Sequence, residues 1–406
     1  MKNWVSGKAM LIAVCVAIAL LSNHLTWAAD QPIKIGLATS RSGVLSNWGT
    51  QESRGLQLGL DYATNGTGKV LGREIKLIVE DDASAPATGV QKAVKLLSED
   101  QVDILTGPVS SGVALGIEDK IKDYKKPYVI SCASSDQITG ANLNKYTFRI
   151  GRSLRQTTLA GSKYIVSKVG KKIAIFAPDY AGGRDFAVCW KTDLVANGAE
   201  IVLELYAPLT TNDFTPYLQK IKASDASALV MVLVGANFES KLPQQIVELD
   251  IGKRMKCAAD YPDIAFLKAI GPAGVGMVGT TMYYHSLFDN PMNKWFVAEH
   301  QKRFGTPPEL WAGNSFATAI ALVTAIQKAK SVEPKSVVNA LEGLEFYGPK
   351  SATEKIRVRP EDHQAMQGVP VVEIVKTDKD YPEFKLLEYP SAPACAPPIV
   401  APKLTW

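Results

Sequence analysis

The chain has 406 residues, 46% of them apolar, and a formal charge of +5 from 45 basic and 40 acidic side chains. That length implies about two domains, and the near balance of charge, without a long lysine or arginine cluster, argues against nucleic acid or an anionic membrane as a partner. Five cysteines in no CxxC pair and four scattered histidines show no metal-ligand spacing, so neither a metal nor another cofactor is expected.

The amino terminus reads as a signal peptide over 1–28. Lys2 and Lys8 precede an apolar run at 9–21 and a small-residue exit at Thr26-Trp27-Ala28. The run is well short of the ~20 residues of a spanning helix, and no later stretch is read as one. Cleavage after Ala28, rather than an uncleaved anchor, and delivery to the periplasm as a soluble protein are therefore expected. Processing leaves 43 basic and 40 acidic residues, a balance of +3, and four cysteines: Cys132, Cys189, Cys257 and Cys395. Export permits disulfides, and the spacing leaves their pairing open.

From residue 33 onward, short β-branched runs alternate with segments of helical period. Strands are predicted at 33–38, 75–79, 102–105 and 128–130. Between them run helices whose apolar residues recur at three and four, such as Leu56, Leu60 and Ala63, or Val90, Val94 and Leu97. This alternation specifies βαβ units with right-handed crossovers and a parallel sheet covered on both faces. A second series follows Gly151, with strands at 172–176, 201–205, 229–234 and 277–280. Its helices carry Phe186, Trp190 and Leu194 on one face, and Phe214, Leu218 and Ile221 on another. Two further helices, at 291–304 and 311–329, precede a β-rich segment over 346–387, and the Pro/Ala-rich stretch 390–402 reads as an extended surface tail.

Open parallel sheets bind ligands beyond the carboxyl ends of their strands, where helix N-termini offer free N–H groups. Two turns meet that description: Gly107-Pro108-Val109-Ser110-Ser111-Gly112 and Ser131-Cys132-Ala133-Ser134-Ser135-Asp136. Their hydroxyls and amides suit a carboxylate, although a single serine of this kind is more often a helix cap. Trp48, after the first strand, and Tyr180, in the corresponding loop of the second series, offer an aromatic from each half. Catalytic readings are weaker. Gly274-Val275-Gly276-Met277-Val278-Gly279 spells GxGxxG but runs into a strand instead of opening a helix. Ser110 and Ser111 lack a GxSxG elbow, and His285, beside a predicted crossing, is placed by no catalytic motif.

The sequence resembles the leucine/isoleucine/valine-binding family of type I periplasmic receptors. The resemblance is carried by Ile33-Lys34-Ile35-Gly36, Ser42-Gly43, Trp48-Gly49, Leu71-Gly72-Arg73, Glu80-Asp81-Asp82, the two serine turns and Asp179-Tyr180, in order along nearly the whole mature chain. It implies an α/β fold of two Rossmann-like lobes with parallel sheets, joined by three crossings near Gly151, Thr281 and Lys355. The first lobe would take 29–151 and 282–355, the second 152–281 and 356–390, with 391–406 as a tail. It further implies a monomeric, non-enzymatic receptor that closes on a small amino acid or aromatic carboxylate and presents it to an ABC transporter permease. A sensor of the same fold, or a receptor for an amide or urea, is the alternative. Ser111, the backbone around Ala133 and the Ser135 hydroxyl, with Ser110 and Ser134 beside them, would hold the carboxylate. Asp260 would take an ammonium group, and Trp48, Tyr180, Asn237 and Trp311 would line the pocket. The loop at Gly235-Ala236-Asn237-Phe238 lacks the tyrosine of branched-chain receptors, and the segment from Ile356 to Gln364 resembles members with other ligands.

Overall fold

The computed structural model describes residues 31–350 and 354–402, so the expected signal peptide lies outside the described residues. The first sheet is built from β1 (Ile33–Thr39), β2 (Lys69–Val70), β3 (Arg73–Asp81), β4 (Ile104–Thr106), β5 (Tyr128–Ile130) and β6 (Thr147–Arg149), in the order β2-β3-β1-β4-β5-β6. Except for the antiparallel β2–β3 hairpin, neighbours run parallel; β1 pairs Ile35 with Leu77 on one side and with Ile104 on the other. Ile33, Ile35, Leu37 and Ala38 are fully buried, as a strand covered by helices on both faces requires.

The second sheet takes β7 (Lys172–Pro178), β8 (Glu200–Ala207), β9 (Ala228–Met231), β10 (Lys256–Asp260) and β11 (Val278–Thr280), all parallel. A small antiparallel sheet follows, made of β12 (Glu345–Phe346), β13 (Ile356–Val358) and β14 (Ala365–Met366). Finally β15 (Val371–Val375) and β16 (Glu383–Glu388) add antiparallel to the edge of the second sheet, giving the order β16-β15-β11-β10-β9-β7-β8. The chain is thus two α/β lobes, as the alternation of elements predicted.

Ile356, Val358 and Ala365 pack into the first lobe's core, and Val372 and Ile374 into the second's. The β-rich segment is therefore divided between the lobes. Between β6 and helix Leu154–Tyr164, between β11 and helix Pro291–Phe304, and between β14 and β15, the chain passes from one lobe's core to the other's, the last beyond Lys355.

Helix Leu310–Ala329 is long and apolar enough to cross a membrane, which the sequence reading overlooked. It is a buried core helix here, and its composition follows from being enclosed on all sides. It lies so close to helix Ser46–Ala63 that a Cβ on Gly55 would sit 2.1 Å from the Ala312 carbonyl oxygen, which explains a glycine inside a helix. The tail is not wholly on the surface, as was expected. Ala392–Cys395 forms a 3-10 turn, and Cys395 is buried among residues of both lobes.

Candidate functional site

The carboxyl ends of β1, β4 and β5 set the first-lobe rim. Glu52, one turn beyond Trp48, is buried and accepts hydrogen bonds from Thr39 at the end of β1 and Ser131 at the end of β5. Burial pushes its carboxyl up to about 7. Next to Trp48 the helix backbone packs tightly on the end of β1, since a Cβ on Gly49 would fall 2.0 Å from the Ser40 carbonyl oxygen.

The serine turns lie together on this rim, with their groups already engaged. Ser110 caps helix Ser111–Tyr124 through Val113 N–H. Ser111 Oγ accepts from the N–H groups of Ser134 and Ser135 at 3.3 and 3.2 Å, and Ala133 N–H donates to the Pro108 carbonyl. The Ser135 hydroxyl donates to Asp185, on helix Ala181–Ala196 of the other lobe. The polar groups expected to meet a solute carboxylate thus meet protein groups in this closed arrangement.

Between the lobes sits an apolar cluster. Trp48 and Trp311 face each other at 4.8 Å between ring centroids, and Val109, Ala160, Met282 and Cys395 pack with them. Trp311 Nε1 has no hydrogen-bond partner among the described residues. Tyr180, at the head of helix Ala181–Ala196, is half-buried with Asp185 and Glu239 nearby, and burial pushes its phenol well above the ordinary value. Asn237 lies in the first turn of helix Ala236–Glu248, two residues before Glu239.

Asp260 is occupied. It is buried, forms an ion pair with Arg152, and accepts from the Thr280 hydroxyl at 3.1 Å. Burial, the largest influence, raises its carboxyl despite the guanidinium. Its placement as the last residue of an apolar strand called for a buried cation, the one signal by which Arg152 was legible.

Two charged groupings were not anticipated. At the head of helix Ile264–Ile270, Asp263 Oδ1 accepts from Ala265 and Phe266 N–H, and Glu309 reaches from the other lobe to accept from Ile264 N–H at 2.7 Å. Glu239 is close to both and beside the Trp48 indole. Burial and the neighbouring Asp263 raise the Glu309 carboxyl to about 7. At the opposite side, Lys350 is buried near Arg152 and Asp260.

The hinge is clasped by the segment that departs from the branched-chain pattern. Arg149, fully buried, donates to Gln364 Oε1, to the Ser135 carbonyl and to Thr139. Gln364 Nε2 donates to the Gly151 carbonyl at 2.9 Å, and the His363 ring stacks on Phe148 at 3.9 Å. These residues join the first crossing to the third. His285 lies outside the serine rim, and burial lowers its imidazole to about 4, so it is neutral at pH 7. The GxGxxG stretch feeds β11 and opens no helix.

Among curated proteins the chain is similar to Leu/Ile/Val-binding protein homolog 6 of Brucella abortus, with 25% identity over 371 residues, covering 89% of this chain and 92% of the relative. Among solved structures it is similar to an ABC-type branched-chain amino acid transporter protein from Rhodopseudomonas palustris, with 33% identity, a TM-score of 0.78, and coverage of 91% of this chain and 100% of the other. A solute-binding protein of an ABC transporter from the same species, in complex with 3,4-dihydroxybenzoic acid, is 25% identical with a TM-score of 0.80, covering 89% and 98%. The family model for periplasmic binding proteins matches residues 32–380, and with its two lobes, three crossings and interlobe cluster the chain belongs to that family.

Proposed function

We propose that this chain is the periplasmic solute-binding component of an ABC importer, which captures a small carboxylate-bearing solute between its lobes and presents the closed form to a permease. The observation that carries the reading is the interlobe cluster. Trp48 and Trp311 from one lobe and Ala160 from the other bury an apolar surface that only closure assembles. A flat solute in that place replaces water on both tryptophan faces. One relative is named for leucine, isoleucine and valine, one for branched-chain amino acids, and one is in complex with 3,4-dihydroxybenzoic acid, which supports a small carboxylate here.

Closure needs a solute that binds the closed form more tightly than the open one. Trp48, Trp311, Tyr180 and Asn237 are assigned to the walls, with Ser110, Ser111, Ala133, Ser134 and Ser135 on the rim. Asp260 is assigned to holding Arg152, not to a solute ammonium. The protein acts as a monomer, and we assign it no catalytic step.

A thermal-shift screen over amino acids, aromatic acids and their amides tests the reading, because a ligand of the native form raises the melting temperature by mass action. A rise with at least one small carboxylate is expected. No rise with any of them, at concentrations up to the millimolar range, would remove the receptor role.

A further inference from the structure

Three carboxyl side chains meet at the face between the lobes, and they come from both sides of it. Asp263 caps helix Ile264–Ile270 and Glu239 lies on helix Ala236–Glu248, both in the second lobe, while Glu309 heads the first-lobe helix Leu310–Ala329. Glu309 reaches across to accept from Ile264 N–H at 2.7 Å. Asp263 and Glu239 are 2% and 5% exposed, and Asp263 Oδ2 and Glu239 Oε1 have no hydrogen-bond partner among the described residues. The junction is thus rich in acceptors and poor in donors.

The other charged and titratable groups around Glu309 do not cancel this excess. Lys268, further along helix Ile264–Ile270, acts on Glu309 as a cation, but it is exposed and lies over the Tyr381 ring at 5.3 Å. Tyr284, from the second crossing, and Tyr180, near Glu239, are phenols that burial keeps neutral. The Trp48 indole is beside Glu239. Burial raises the Asp263 and Glu239 carboxyls, and burial with the like charge of Asp263 raises Glu309 to about 7.

We propose that closure of the lobes is coupled to the uptake of a proton at this carboxyl junction, so that the receptor holds its solute more tightly in acid and loosens as the medium turns neutral. The proposal rests on the receptor reading above and adds how the medium regulates it. Asp263 and Glu239 share a lobe and stay together whether the cleft is open or shut. Glu309 is the group that travels. In the open form it faces water as an ordinary carboxylate, and closure takes it out of water beside two further carboxyls. A charged Glu309 opposes that step and a protonated one does not. By linkage, a proton that the closed form binds more tightly favours the closed form in return. Below the ordinary value of 4.5 both forms hold the proton, above about 7 neither does, and the coupling acts between these limits.

The test is calorimetry on the full mature chain with L-leucine, L-phenylalanine, benzoate and 4-hydroxybenzoate, continued with the tightest binder. At pH 6, in ACES and in phosphate, whose protonation heats differ, the apparent enthalpies should differ by the uptake of on the order of one proton per solute. Affinity should fall about tenfold or more from pH 5.5 to pH 8. Glu309→Gln, which keeps an acceptor for Ile264 N–H, should lose most of the uptake and bind with nearly level affinity across that range. Asp263→Asn, which keeps an oxygen for the helix cap, should reduce both effects and stands in should Glu309→Gln not fold. Binding without proton uptake, or uptake unchanged in Glu309→Gln or in the variant that stands in for it, overturns the coupling and leaves the receptor reading intact. If none of the four acids binds, both are lost.

Discussion

The Asp185 carboxylate of the second lobe accepts a hydrogen bond from the Ser135 hydroxyl of the first at 3.2 Å, and another from the Gln137 side-chain amide at the same distance. Close by, Cys189 Sγ donates to Asp136 at 3.1 Å, also across the lobes. The serine rim thus grips a carboxylate that belongs to the protein itself, and the grip holds the lobes shut.

If Asp185 is a latch, its loss favours the open form. Asp185→Ala should remove about 1 kcal/mol from closure, the worth of one net hydrogen bond, and so weaken solute binding about fivefold by calorimetry. The opposite sign is informative. Tighter binding by Asp185→Ala would mean that the solute's carboxylate competes with Asp185 for the Ser135 hydroxyl.

This relationship marks where sequence reasoning stops. β5 was legible residue for residue, because Tyr128, Val129 and Ile130 form a short apolar run. β6 was not, since Thr147-Phe148-Arg149 carries a fully buried arginine whose partners, Thr139 and Gln364, come from other parts of the chain. The serine turns were legible as a polar rim, but nothing local to Ser135 points to Asp185, fifty positions away. Lys350 falls within the segment read only as β-rich, 346–387, with nothing to mark it as buried. Only the packing of the three crossings buries it.

The Gln364 clasp carries its own test. Its amide oxygen accepts from Arg149 Nε, and its nitrogen donates to Gly151 O and Ala365 O. Gln364→Ala leaves the buried guanidinium and the Gly151 carbonyl short of a partner, at a cost of about 2–4 kcal/mol. A lower urea midpoint with an unchanged slope is expected. A midpoint within error of wild type would show that the hinge does not depend on this residue.

Among the described residues Cys132, Cys189, Cys257 and Cys395 are free and buried, Cys132 and Cys395 in the same interlobe cluster. Burial pushes the Cys257 thiol up to about 12 and Cys395 up to about 11, so neither is a thiolate at neutral pH. A thiol reagent should therefore find almost nothing in the native protein and four groups after denaturation. Fewer than four after non-reducing denaturation would reveal a disulfide formed on export.

The last prediction concerns pH and turns on Glu309. Its carboxyl is raised from the ordinary value of 4.5 to about 7, because burial and Asp263 penalise the charge. A carboxyl raised in the folded state binds more protons folded than unfolded between those two values. Stability from this group is therefore greatest in acid, falls as pH rises from about 4.5 to about 7, and stays at its lower level above that. Glu309→Gln keeps an oxygen to accept from Ile264 N–H and removes the charge. It should raise stability at pH 8 by about 1–3 kcal/mol, with little change at pH 4.5, and so flatten the pH profile of chemical unfolding. A loss of stability at pH 8 would mean that the Glu309 charge is compensated in the fold, and that the carboxyl cluster at the head of helix Ile264–Ile270 does not strain closure.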